Sequence, residues 1–189
     1  MRAASLCLAA SLGITLPIVS ATAQDAPAEP GDYRMDDYRA PTPATLRGAM
    51  VLSTDAAFEH WERHDAVFVD VLPLVPRPAG LPASTIWRDK PRDDVPGSVW
   101  LPDTGYGALA PVMERYFEQG LDEASGGDRN RMLVFYCLAN CWMSWNAAKR
   151  AIAIGYTRVA WYPDGTDGWA ARHLPLERRT PVPRPQVTE

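Results

Sequence analysis

Residues 132–148 read MLVFYCLANCWMSWNAA, and they decide how this chain folds. Met132-Leu133-Val134-Phe135-Tyr136 is apolar without interruption. That pattern predicts a strand buried on both faces, as in a parallel sheet covered by helices. A helix follows over residues 144–154 and ends at Gly155, because glycine readily takes the left-handed conformation after a helix. Between the two lies Cys137-Leu138-Ala139-Asn140-Cys141. A loop running from a strand into a helix sits at the carboxyl edge of its sheet, where open α/β sheets hold ligands. Backbone N–H groups converge there and the helix macrodipole favours negative charge. A thiol in that loop loses its proton more easily and becomes nucleophilic near neutral pH. Either cysteine qualifies. The competing reading is a buried, inert cysteine, weakened by the second thiol so close by.

Outward from this segment, strand and helix signals alternate. Residues 50–52 are a short apolar run, Ser53 or Thr54 can cap a helix, and Phe58 and Trp61 share a face of it. Residues 66–71 (AVFVDV) read as a buried strand ending beside Asp70, and residues 72–92 as a long proline-rich connection. A short strand is expected over residues 98–101 after the Pro96-Gly97 turn. Leu109, Val112, Met113, Tyr116 and Phe117 follow helical spacing, with an end near Gly120. Residues 158–162 read as the last strand and residues 164–168 as a double turn. The fold class is therefore α/β: a single domain with a central, mostly parallel sheet and helices on both faces.

The 189 residues are 47% hydrophobic and 22% charged, with a formal net charge of -4. Those proportions exclude a disordered tail, a collagen-like fibre and a multi-span membrane protein. With no face-sized cluster of Lys or Arg, no nucleic-acid partner is expected. The first 23 residues read as a cleavable signal peptide: Arg2, an apolar run over residues 3–19, then Ala21-Thr22-Ala23. The mature chain would begin at Gln24, in the periplasm, without a membrane anchor. Cys7 would leave with the signal, so Cys137 and Cys141 become the remaining thiols in an oxidising compartment, where such a pair can form a disulfide. A bridge so local adds little loop-closure stability, which points to chemistry rather than stapling. Residues 24–44 form a proline-rich acidic arm that Tyr33 and Tyr38 can pin, residues 45–175 the domain, and residues 176–189 a loose or extended proline-rich strap.

The run from Tyr136-Cys137 through Ser144-Trp145-Asn146-Ala147-Ala148 to Gly155-Tyr156 resembles the active-site segment of a rhodanese-like domain. Phe68-Val69-Asp70-Val71, Val95-Pro96-Gly97-Ser98 and the stretch from Gly165 to Trp169 resemble further rhodanese motifs in family order, from about residue 48 to 172. A narrower resemblance rests on Cys141-Trp142-Met143-Ser144-Trp145-Asn146-Ala147-Ala148-Lys149-Arg150 and on Trp161-Tyr162-Pro163-Asp164-Gly165-Thr166-Asp167-Gly168-Trp169. Both are similar to exported rhodanese-like proteins of PQQ-dependent catabolism named for a CXXCW motif. This chain has three residues between its cysteines where that name implies two. The resemblance implies Cys137 as the sulfur-carrying nucleophile and Cys141 as its resolving partner. Leu138, Ala139, Asn140, Trp142, Met143 and Ser144 would form an anion cradle or partner contact, with Asp70 in support. No cofactor and no metal is implied. The implied partner is a periplasmic quinoprotein dehydrogenase or its electron-transfer partner.

Departures from the family narrow the chemistry. Met143 stands where Cys-x5-Arg phosphatases need Arg for bidentate phosphate contact, so phosphate or arsenate chemistry is not expected. The rhodanese loop Arg is missing too, leaving thiosulfate to backbone N–H groups alone. Two alternatives stay open. One is a non-catalytic module presenting an exposed Trp142 to a partner, against which Trp142 could equally fold over the cysteines as a lid. The other is a Cu(I) chaperone using both thiols and a remote His60, His64 or His173. Lys149 and Arg150 read as a solvated helix face.

Overall fold

The computed structural model describes residues 26–82, 84–88 and 90–185. The signal reading at residues 1–23, Cys7 and Gln24 lie outside the described residues. In chain order the elements are β1 (Ala49–Val51), α1 (Thr54–Glu62), β2 (Ala66–Asp70), β3 (Arg92–Asp94), β4 (Val99–Trp100) and α2 (Pro111–Ser125). Then follow β5 (Met132–Tyr136), α3 (Trp142–Ala153), β6 (Val159–Trp161), α4 (Gly165–Ala171) and β7 (Glu177–Arg179).

Five strands form one parallel sheet in the order β1-β6-β5-β2-β4. The uninterrupted apolar run of β5 takes the central place, paired with β2 from Ala66↔Met132 to Asp70↔Tyr136, and all five of its residues are buried. Side chains alternate across a strand. Leu133, Phe135 and Cys137 accordingly join one core with Phe117 and Leu121 of α2 and Trp145 and Ala148 of α3. Val134 and Tyr136 join the other core with Ala57 of α1 and Trp169 of α4. Helices therefore cover both faces, as the alternating pattern predicts. Ser53 is the N-cap of α1, its hydroxyl accepting from the Ala56 N–H. Among the described residues no helix is long and apolar enough to cross a membrane.

Four boundaries differ from expectation. Helix α2 does not stop near Gly120; it runs through that residue to Gly126, which takes φ +66 and caps the helix. Gly120 serves close packing instead, since a Cβ there would fall 2.5 Å from Leu101 Cδ2. Helix α3 begins at Trp142 rather than 144, with Cys141 as its N-cap residue. Residues 164–168 are not a double turn but the start of α4, held by Trp169 in the core. Of the two forms open to the C-terminal strap, its described residues take the extended one and add an unexpected strand. Strand β7 pairs antiparallel with β3, the Val182 N–H donates to Trp100 O, and the Tyr116 hydroxyl donates to Val182 O. Arg92-Asp93-Asp94 and Glu177-Arg178-Arg179 are wholly charged, so neither strand shows the apolar alternation that reveals one.

Candidate thiol site

Parallel pairing places the last residues of β2 and β5, Asp70 and Tyr136, side by side at the carboxyl edge of the sheet. Cys137 follows at once. The chain turns through Asn140, at φ +51, and enters α3 after Cys141. This left-handed step, which Asn tolerates better than most residues, folds the loop back on itself. The Cα atoms of Cys137 and Cys141 lie 6.5 Å apart and their sulfurs are joined in a disulfide. Both cysteines are buried, while Leu138 and Ala139 are half-buried and Asn140 is exposed. Cys137 Sγ lies 3.7 Å from Leu138 O and 3.8 Å from Cys141 O.

The loop's backbone groups are largely engaged by the protein itself. The Ala139 N–H donates to an Asp167 carboxylate oxygen at 3.0 Å, and the Trp142 N–H, first of α3, donates to Tyr38 O at 2.9 Å. The Cys137 carbonyl accepts from the Thr166 N–H at 3.1 Å, the Thr166 hydroxyl at 3.3 Å and the Arg92 guanidinium at 3.0 Å. Gly165, at φ +52, lets α4 approach this closely. A Cβ there would fall 2.5 Å from Cys137 O and 2.9 Å from Leu138 Cα. A carboxylate and a carbonyl thus occupy donors that would otherwise face an anion. The expected anion cradle is partly filled from within.

Trp142 is not the exposed anchor that its place beside the thiols suggested. It is 3% exposed, its indole N–H donates to Pro41 O, and it packs edge-on against Trp145 with ring centroids 5.5 Å apart. The physical reason is the N-terminal arm, which lies along α3. The Arg34 N–H donates to Asn146 Oδ1 and Asn146 Nδ2 donates back to Arg34 O, and just past the arm the Trp145 indole N–H donates to Thr45 O. Tyr38 and Tyr33 help to seat it: the Tyr38 hydroxyl donates to Met35 O, and Tyr33 lies 4.7 Å under the Arg150 guanidinium. Arg150 is likewise no solvated residue. It is buried and donates to the carbonyls of Thr104, Tyr106 and Gly107. Met143 is buried too, with Gly105 so close that a Cβ on it would fall 2.4 Å from Met143 Cβ. Ser144 is fully buried, its hydroxyl donating to Cys141 O and accepting from the Trp161 indole N–H.

Beneath the loop sits a charged cluster. Asp70 and Asp94 have no exposed surface, and both face the Arg92 Nε, whose contact with Asp94 Oδ1 is 2.7 Å. Asp70 Oδ1 also accepts the Leu72 N–H at 2.8 Å, so Asp70 both caps its own loop and, through Arg92, supports the thiol loop. Burial, with Asp70 close by, pushes the Asp94 carboxyl up to about 8. Burial likewise raises Tyr136 well above the usual phenol range, and the two aspartates add to it. Its hydroxyl donates to Ser98 Oγ and accepts the Val95 N–H. Arg92, Asp94, Thr166 and Asp167 all bear on the site without having been singled out as its residues. Arg92 and Asp94 lie in or beside the proline-rich connection, where nothing local marks them. The arm acts through backbone carbonyls, which carry no side-chain signal.

The copper arrangement does not assemble around His60 of α1 or His64 just after it. That helix ends just before β2 begins, so His60 and His64 lie toward the opposite edge of the sheet from Cys137. Among the described residues, no group of three or more His, Cys, Asp or Glu is placed to hold a metal. The arrangement offers instead a disulfide in a strand-to-helix loop.

No protein-family model matches the sequence, and no curated protein matches it significantly. Among solved structures, the chain is similar to a thiosulfate sulfurtransferase from Pseudomonas aeruginosa, with a TM-score of 0.48 and 15% identity over 75% of this chain and 22% of that one. It is similar to a polysulfide-sulfur transferase homodimer from Wolinella succinogenes, with a TM-score of 0.44 and 18% identity over 70% of this chain and 81% of that one. An uncharacterized protein from Saccharomyces cerevisiae is similar with a TM-score of 0.41 and 22% identity, over 66% of this chain and 92% of that one.

Proposed function

We propose that this chain is an exported rhodanese-like accessory protein of a quinoprotein oxidation pathway, working by sulfur transfer and thiol–disulfide exchange at Cys137 and Cys141. The observation that carries the chemistry is the bridge between the two cysteines in the loop after β5. Export and the pathway rest on the N-terminal pattern and on the motif resemblance, with a quinoprotein dehydrogenase or its electron carrier as partner.

In the reduced form the Cys137 thiolate attacks the outer sulfur of a sulfane donor, and the donor's remainder leaves with the electron pair. The product is a persulfide on Cys137. The Cys141 thiolate then attacks Cys137 Sγ, the bond to the outer sulfur breaks, and hydrosulfide leaves as the disulfide forms. An external dithiol reduces the bridge and restarts the cycle. With Asp167 and Tyr38 on loop donors, an uncharged or thiol-bound sulfur donor suits the site better than free thiosulfate.

The test is mass spectrometry of the purified protein without reductant, beside a thiosulfate:cyanide assay of wild type and Cys137→Ser. We expect a Cys137–Cys141 disulfide at rest. After reduction and exposure to a persulfide donor, Cys141→Ser should retain one extra sulfur on Cys137, and Cys137→Ser none. Thiosulfate turnover should be slow and should vanish in Cys137→Ser. Equal sulfur loading of both single-cysteine variants would overturn the assignment of roles. No loading of either, with no reducible bridge, would overturn the function.

A further inference from the structure

Arg92, Asp70 and Asp94 form a buried trio directly under the reacting loop. An arginine Nε carries a single hydrogen, and here it is donated to Asp70. Asp94 Oδ1 lies 2.7 Å from the same nitrogen, yet among the described residues neither Asp94 oxygen has a hydrogen-bond donor. Two buried carboxylates against one guanidinium leave a surplus negative charge, which burial makes costly. A proton shared between Asp94 and Asp70 removes the surplus and turns their contact into a hydrogen bond. The groups facing Asp94 are Asp70 from β2, Arg92 from its own strand and Tyr136 from β5, with Glu177 opposite it in the β3–β7 ladder and Arg179, opposite Arg92, ion-paired to Glu177 at 3.1 Å. The other end of Arg92 donates to Cys137 O and to the Thr166 hydroxyl, both at 3.0 Å.

We propose that Arg92 is the positioning residue of the Cys137 loop, and that a proton held on Asp94 leaves its guanidinium free to grip the Cys137 carbonyl. When that proton leaves, both carboxylates compete for the guanidinium, the grip on Cys137 O loosens, and the thiol–disulfide pair changes its reactivity. The inference rests on the proposed thiol chemistry and adds to it a control that belongs to neither sulfur.

The experiment measures the exchange equilibrium of the full chain with dithiothreitol from about pH 6 to about pH 9.5, in wild type and in Asp94→Asn. Dithiothreitol gives up two thiol hydrogens and closes to its cyclic disulfide, while Cys137 and Cys141 become two thiols. The amide of Asp94→Asn offers Asp70 a donor at every pH, so the variant keeps the low-pH arrangement. We expect the two proteins to coincide below about pH 7 and to diverge above about pH 8 by about tenfold in the exchange constant, the worth of one charge-assisted hydrogen bond. Curves that stay parallel throughout overturn the inference and leave the proposed function standing. No exchange in wild type at any pH overturns both. If Asp94→Asn fails to fold, the infrared carbonyl band of a protonated carboxyl in wild type decides instead. Its presence at neutral pH and loss above pH 8 support the inference, and its absence at neutral pH overturns it.

Discussion

Asp94 illustrates how one side chain ties stability to pH. Burial first, and Asp70 next, push its carboxyl up to about 8, against about 3.9 for an aspartate in the unfolded chain. Between those values the folded state holds a proton that the unfolded state has released. This group therefore favours folding fully below about pH 4, and its contribution is lost as the pH rises toward 8. Denaturant unfolding should show wild-type stability falling across that window by on the order of a few kcal/mol more than in Asp94→Asn. If both proteins follow the same profile, Asp94 holds no proton when folded. Asp70 at its strand end was legible from the sequence, because a strand pattern carries its own last residue. Asp94 and Arg92 were not, since a charged triplet beside a proline-rich stretch looks like solvated loop until the sheet brings it to the loop's underside.

At the level of elements, the thiol loop depends on how closely α4 approaches the end of β5. Gly165 is the point of contact, left-handed and within van der Waals reach of Cys137 O. Gly165→Ala should cost about 3 kcal/mol, from a strained backbone together with a forced separation of loop and helix. It should also speed alkylation of the reduced cysteines by loosening the loop. Gly31→Ala, where nothing lies within 4 Å of the added Cβ, is the control and should leave urea unfolding unchanged. The elements that bury apolar faces were legible: β2, β5 and α3 each announce themselves by period or by continuous apolarity. What escaped were β3, β7 and α4, short pieces whose placement comes from partners far along the chain. The end of α2 is hidden for a related reason: Gly120 looks like a stop, and only the side chain of Leu101 lying against it explains a glycine inside a helix.

At the scale of the molecule, the arm and the domain are one packing unit. Trp142 is where they meet: its ring is buried, its indole and backbone N–H groups both donate to arm carbonyls, and Arg34 lies 5.3 Å from its ring centroid. Trp142→Ala should cost about 3 to 5 kcal/mol, as for a core aromatic. It should also leave the arm open to proteolysis before the domain itself unfolds. A loss below about 1 kcal/mol with an intact arm would return Trp142 to the surface role that the sequence suggested. The same seam sets an order of assembly. The arm's partners lie about a hundred residues further on, with separations of 101 from Pro41 to Trp142 and 112 from Arg34 to Asn146. Contacts so distant close late, after the local ones. A ribosome makes the arm before the helix that receives it, so the first part of the described chain to be synthesised must wait, unseated, until α3 has been made.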